Sequence, residues 1–235
     1  MSRNTDIIRY RFRGAQAPPL VASRNQDFCS LLVGAGGPTV QAVAGGAMRL
    51  LIDNDAEVET ACLYQGDIYP WDINDLVRVE FLIRSVVAFG AGNTVFWGLA
   101  AAQNVDPTAI ATAIGFRMTA NDNVVIDSRD GTNTVAAAAT GQTLGAVYRR
   151  AVIDFSSGGL TQDGPTASVG GLADCRFFLS DARGSLRRVA AGQRFRMDAF
   201  AGQLQLYAQL NKTAANASVP QIEILGIDVE VKLPR

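Results

Sequence analysis

The chain has 235 residues, of which 48% are hydrophobic and 18% charged, with a net charge of −1 and no histidine. That apolar content is enough for one large core and excludes global disorder. The near-neutral balance gives no whole-molecule attraction to nucleic acid or to an anionic membrane, and the missing histidine removes Ser-His-Asp and Cys-His catalysis, His-ligated zinc and imidazole acid–base chemistry together.

From the N-terminus, residues 1–28 are expected to form an arm or edge strand, and residues 29–235 a single β-sandwich domain. The opening residues are charged and alternating, unlike a signal peptide. Ile8, Tyr10 and Phe12 alternate with Arg9, Arg11 and Arg13. The following AQAPPL (15–20) cannot continue a central strand. Arg9, Arg11 and Arg13 are therefore candidate contacts for the acidic surface of a neighbouring subunit or for phosphates, against the plainer reading of a solvated edge that resists unwanted pairing. GAGGPT (34–39) lacks the GK[ST] ending of a phosphate-binding loop and reads as a turn. DNDAEVE (53–59) places Asp53, Asp55 and Glu57 at calcium-loop spacing, but it lacks the turn glycine, and position twelve is Tyr64. A turn between strands is the expectation.

Period-two alternation then dominates. VRVEFLIR (77–84) puts Val77, Val79, Phe81 and Ile83 on one face, against Arg78, Glu80 and Arg84. VFWGLA (95–100) and AIGFRM (113–118) read as a strand pair joined by an excursion in which Asp106 and Pro107 start one helical turn. Asp106 and Pro107 are expected to be exposed and are candidate partner contacts. LTQDGPTASVGG (160–171) reads as a long loop within the domain. Further on, CRFFLS (175–180) and RFRMDAF (194–200) alternate as strands. QLQLYAQL (203–210) points Leu204, Leu206, Ala208 and Leu210 inward and Gln203, Gln205, Tyr207 and Gln209 outward. LGIDVEVKL (225–233) points Leu225, Ile227, Val229, Val231 and Leu233 inward. Gly/Asn/Asp turns between these runs, such as GAGN (90–93) and RDGTN (129–133), give an all-β chain of roughly twelve to fifteen strands in one antiparallel sandwich of jelly-roll or concanavalin-like type.

Little in this pattern carries chemistry. Cys29, Cys62 and Cys175 form no CxxC motif and read as buried free thiols of a reducing cytoplasm. Five glutamates occur, at positions 57, 59, 80, 223 and 230, and no two of them stand out as the facing acids a glycosidase needs. Trp71 and Trp97 sit beside alternating hydrophobics and belong in the core rather than on a sugar platform. Asp122 and Asp130 are turn residues. No catalytic, cofactor-binding or metal-ligating residues are assigned, and no cofactor is expected. Arginine outnumbers lysine nineteen to two, which suits planar, bidentate ion pairs.

The succession of segments from AGGAMRLLIDNDAEVETACLY through VFWGLAAAQN, AIGFRM, DSRDGTNT, YRRAVIDFS and CRFFLSD to LQLYAQLNKT and IEILGIDVEVK is similar to a group of tailed-bacteriophage virion proteins. The likeness covers about residues 40–233 and rests on packing and turn patterns. It implies a non-enzymatic capsid decoration or cement protein, assembled in the bacterial host cytoplasm and located in the virion. Its implied partners are the major capsid protein, copies of itself as a dimer or trimer, or both, with no membrane and no nucleic acid. The competing reading on the same fold is a carbohydrate-binding module of a phage fibre or spike that recognises a host surface glycan.

Overall fold

The computed structural model describes residues 5–12, 27–68, 70–156, 171–214 and 218–233. In chain order its strands are β1 (Thr5–Arg11), β2 (Cys29–Val33), β3 (Thr39–Val43), β4 (Ala47–Leu51), β5 (Glu59–Tyr64), β6 (Trp71–Asp72), β7 (Leu76–Val87) and β8 (Asn93–Ala100). They continue as β9 (Thr112–Met118), β10 (Asn123–Asp130), β11 (Thr134–Thr143), β12 (Arg149–Asp154), β13 (Arg176–Ser180), β14 (Leu186–Val189), β15 (Gln203–Lys212) and β16 (Gln221–Lys232). These are sixteen strands, one beyond the expected range, and only short 3-10 turns break the β-structure among the described residues.

Two antiparallel sheets form. The first runs β14-β13-β12-β7-β16-β4-β3, and the second β11-β10-β9-β8-β15-β5-β2. The long strand β16 pairs with β7 along one edge, while its other edge is divided between β4, opposite Gln221–Ile224, and β1, opposite Gly226–Lys232. Residues 5–11 are thus a strand of the chain's own sheet. Phe12 and Phe28 are buried, and the Tyr10 ring meets Phe28 and Trp71 edge-on. Arg13 and residues 160–170 lie outside the described residues.

The inward faces meet in one core, with Val79, Phe81, Ile83, Ile222 and Ile224 from the first sheet against Trp97, Phe116, Leu206 and Leu210 from the second. A run of rings crosses it: Trp97 stacks on Phe116 at 5.5 Å, Phe116 meets Phe177 at 5.1 Å, and Phe177 meets Phe195 at 4.9 Å. Both tryptophans are buried, as the alternation around them requires.

Three expectations from alternation need correction. RFRMDAF is not a strand: Phe195 and Met197 are buried, but the segment forms no ladder, only an isolated β-bridge from Phe195 to Cys175. In the last strand Leu225 is a bulge residue between Ile224, opposite Ile83, and Gly226, opposite Leu82, so it leaves the inward register. Inward positions are Ile222 and Ile224 before the bulge, and Ile227 and Val229 after it, while Leu233, expected inward, lies past the strand end and is exposed. Finally, Gln205, Tyr207 and Gln209 do point away from the main core, yet all three are buried. What covers them defines the candidate site.

Candidate functional site

The outer face of the second sheet carries its own apolar cluster: Cys29, Cys62, Tyr64, Phe96, Ala100, Ala113 and Tyr207. Alternation places these opposite the main core, and Ile110 from the 101–111 excursion packs onto them. β8 and β9 approach closely beneath it because Gly98 and Gly115 face each other. A Cβ on Gly115 would meet the Phe96 ring at 2.7 Å, and one on Gly98 would meet the Ile114 carbonyl at 2.3 Å. The strand pair 95–100 with 113–118 forms as expected, in register from Val95 opposite Met118 to Ala100 opposite Ala113.

The excursion between them is a strap laid back over its own sheet. Side chains of the sheet hold its backbone carbonyls. The Tyr207 hydroxyl donates to Asn104 O at 3.1 Å, Gln209 Nε2 to Val105 O at 2.8 Å, and Asn211 Nδ2 to the same oxygen at 2.6 Å. Arg129 donates to Pro107 O at 3.0 Å and also to Thr108 O. Asp106 caps the 3-10 turn Pro107–Ala109, accepting from Thr108 N at 2.8 Å and Thr108 Oγ1 at 2.6 Å. Asp106 remains exposed, but Pro107 is buried, so the expected exposure of this pair holds only for the aspartate. Burial drives the Tyr207 phenol far above its ordinary pKa.

At one end of β15 the strand finishes on Lys212, which is fully buried. Its ammonium donates to the carbonyls of Asp53 at 2.8 Å and Asp55 at 2.5 Å, and lies 2.5 Å from Glu59 Oε2 and 3.7 Å from Asp53 Oδ1. The calcium-like segment 53–59 therefore is a turn, and it wraps a lysine ammonium. Burial raises the Glu59 carboxyl, against the pull of Lys212 and with a further push from Asp53. The Asp53 carboxylate is held low, first by the backbone N–H of Asp55 and also by that of Gly37.

The outer face of the first sheet is an ion-pair lattice. Glu223 is its hub, accepting from Arg49 Nε at 2.9 Å, Arg84 Nε at 2.8 Å and the Tyr148 hydroxyl at 2.8 Å, with the Arg84 guanidinium 4.5 Å over the Tyr148 ring. Burial opposes ionisation of Glu223, but these donors outweigh it and hold the carboxyl below its usual value. Arg150 grips Glu80 through two bonds of 2.6 and 2.8 Å, and Arg78 lies 3.5 Å from Glu230. Arg11 pairs with Asp228 at 2.5 Å, with Arg9 at 3.9 Å from the same carboxylate. Two of the three N-terminal arginines thus have an acidic neighbour within their own chain, while their side chains stay 60% and 46% exposed.

Asp122 and Asp130 serve turns: Asp122 accepts from Phe89 N, and Asp130 from the backbone of Thr132, Asn133 and Ala199. A polar cavity of about 330 Å³ lies beside the second turn, lined by Ser128, Thr132, Asn133, Thr134, Arg194 and Arg196. Arg196 in that wall is already bound by Asp198 through bonds of 2.9 and 2.6 Å. The three cysteines are buried thiols. Among the described residues no group of three or more His, Cys, Asp or Glu is arranged to hold a metal ion, and no helix is long and apolar enough to cross a membrane.

Asn211 and Arg129 were not singled out from the sequence, and Gln209 was read as an outward polar residue rather than as a clamp. A signal did exist for Lys212 and Glu59. Both fall on the inward phase of their strands, Lys212 after Leu206, Ala208 and Leu210, and Glu59 before Ala61 and Leu63.

No family model matches the chain, and no curated protein matches it in sequence. Solved structures do match. A protein of unknown function from Shewanella oneidensis aligns over 99% of this chain and 88% of its own, with a TM-score of 0.58 and 13% identity. Peanut lectin aligns over 99% of both chains, with a TM-score of 0.59 and 10% identity. The β-glucanase of Bacillus licheniformis aligns over 95% of this chain and 97% of its own, with a TM-score of 0.56 and 10% identity. At such identities the likeness is one of fold alone: the chain is an antiparallel β-sandwich of the jelly-roll type that the lectin and the glucanase also have.

Proposed function

We propose that this chain is a non-enzymatic structural protein of a tailed-bacteriophage virion, a capsid decoration or cement protein that binds the head shell and its own copies through its surfaces. The observation that carries the non-enzymatic part is the strap. On the outer face of the second sheet, Tyr207, Gln209, Asn211 and Arg129 would be the natural polar groups of a ligand groove. All four are engaged with carbonyls of residues 104–108. Of the five glutamates, Glu59, Glu80, Glu223 and Glu230 each have a cationic partner, so the glutamates offer no open pair for hydrolysis. The virion assignment rests on the sequence resemblance. The arginine–carboxylate lattice on the first sheet, with Arg9 and Arg11 still largely exposed, is suited to exchanging partners with an acidic neighbour.

The test is composition and cosedimentation. Purified particles of the encoding phage should contain this chain in many copies per head, and the isolated protein should cosediment with emptied heads lacking it. Absence from particles, or failure to bind such heads, overturns the reading. The carbohydrate-binding alternative draws its support from the lectin-like fold and from the polar cavity beside Asn133 and Arg194. It predicts retention on immobilised host-surface glycans that is lost in Asn133→Ala or Arg194→Ala.

A further inference from the structure

Glu59 and Lys212 stand directly opposite each other in the β5–β15 register, both on the inward phase and both fully buried. The ion pairs on the outer face of the first sheet use arginine, whereas this buried pair uses one of only two lysines in the chain. Lys212 Nζ is 2.5 Å from Glu59 Oε2, a contact that lacks good hydrogen-bond alignment at the carboxylate. Asp53 lies 3.7 Å from the same nitrogen. Its carboxylate and that of Glu59 both press on Gly36, where a Cβ would meet Asp53 Oδ2 at 2.4 Å and Glu59 Oε1 at 2.7 Å. A withdrawn charge pair with poorly aligned bonding at the carboxylate is a poor ion pair, because desolvation of both charges is incompletely compensated. The same arrangement is a close approach of an amine and a carboxyl, held in register and buried.

We propose that Lys212 and Glu59 become joined by an intramolecular isopeptide bond. The Lys212 ammonium passes one proton to the Glu59 carboxylate 2.5 Å away, and the freed amine attacks Cδ of the resulting carboxylic acid. As the Nζ–Cδ bond forms, one Cδ–O bond breaks. The departing hydroxyl leaves as water, taking a second proton from nitrogen. The sum is ammonium plus carboxylate giving a secondary amide and water, with no redox change and no added co-reactant. Water is scarce at the buried bond, which opposes hydrolysis. A guanidinium would not serve as this nucleophile, which gives lysine a chemical reason at this position. The product replaces a buried charge pair by a neutral amide and ties β5 to β15, closing a long stretch of chain in the unfolded state. The inference is independent of the virion assignment.

The intact mass of the full-length protein, measured under denaturing conditions after incubation at neutral pH, tests it. The expected mass is one water below that of the sequence, with a branched peptide joining the segments that contain Glu59 and Lys212. Full sequence mass, with the two residues recovered in separate peptides, overturns the proposal. Because Asp130-Gly131 can also lose water by succinimide formation, Lys212→Arg is the control: it should keep its full mass, and water loss in that variant removes the evidence from the intact mass of the parent and counts against the bond.

Discussion

The two outer faces of this sandwich solve the same problem differently. Each sheet has one face on the common core, and the other face of an antiparallel sheet is ordinarily left to water. The first sheet keeps that arrangement and fills its outer face with arginine–carboxylate pairs around Glu223, Glu80, Glu230 and Asp228. The second sheet instead buries aromatic and amide side chains under its own 101–111 strap. One face presents partly exposed ion pairs, and the other is covered by the strap with its polar groups already used.

The comparison can be broken most severely from beneath the strap. If that face is a second core, Phe96→Ala should cost about 3–5 kcal/mol of unfolding free energy, measured by chemical denaturation. A loss near zero would mean that the strap leaves the sheet in solution. On the charged face, Glu223→Ala should cost less, about 2 kcal/mol, because Arg49 and Arg84 are about one-third exposed and regain water when unpaired. The same residue carries a pH signature. Its carboxyl titrates lower when folded than when unfolded, so its stabilisation is present above the ordinary carboxylate range and is lost as the pH falls through the lowered value. Glu223→Gln should therefore flatten the acid side of a stability-versus-pH curve, and an unchanged acid limb would show that the hub contributes nothing to it. Asp106→Ala removes the cap of the strap's 3-10 turn and should cost about 1 kcal/mol or less. Its effect should concentrate in faster amide hydrogen exchange within 104–110 rather than in global unfolding. The smallest effect belongs to Arg9→Ala, within about 0.5 kcal/mol, since its contact with Asp228 is long and solvated. If Arg9 serves a neighbour, its loss should appear in binding to heads and not in stability.

Much of the sandwich was legible because a half-buried strand writes its environment into every second residue. VRVEFLIR, with Val79, Phe81 and Ile83 inward and Arg78, Glu80 and Arg84 outward, became β7 as read. Leu204, Leu206, Ala208 and Leu210 of β15 also face the core. The reading went astray where alternation persists without a ladder, as at Phe195 and Met197, and where a bulge resets the phase, as at Leu225. It also failed where a polar residue is buried by something distant in sequence. Nothing local in QLQLYAQL distinguishes a glutamine facing water from one holding Val105 O more than a hundred residues away.

Sequence alone determined the all-β class, the inward phase of most strands, the pairing of residues 95–100 with 113–118, and the buried state of the tryptophans and thiols. These follow from local periodicity, which depends on one residue's relation to its near neighbours. Tertiary structure alone decided that the 101–111 excursion seals the sheet that bears it, that Arg9 and Arg11 meet Asp228, and that Lys212 lies between Glu59 and the 53–55 turn. Each of those outcomes joins groups far apart along the chain, and only the packing of the two sheets brings them within hydrogen-bonding distance.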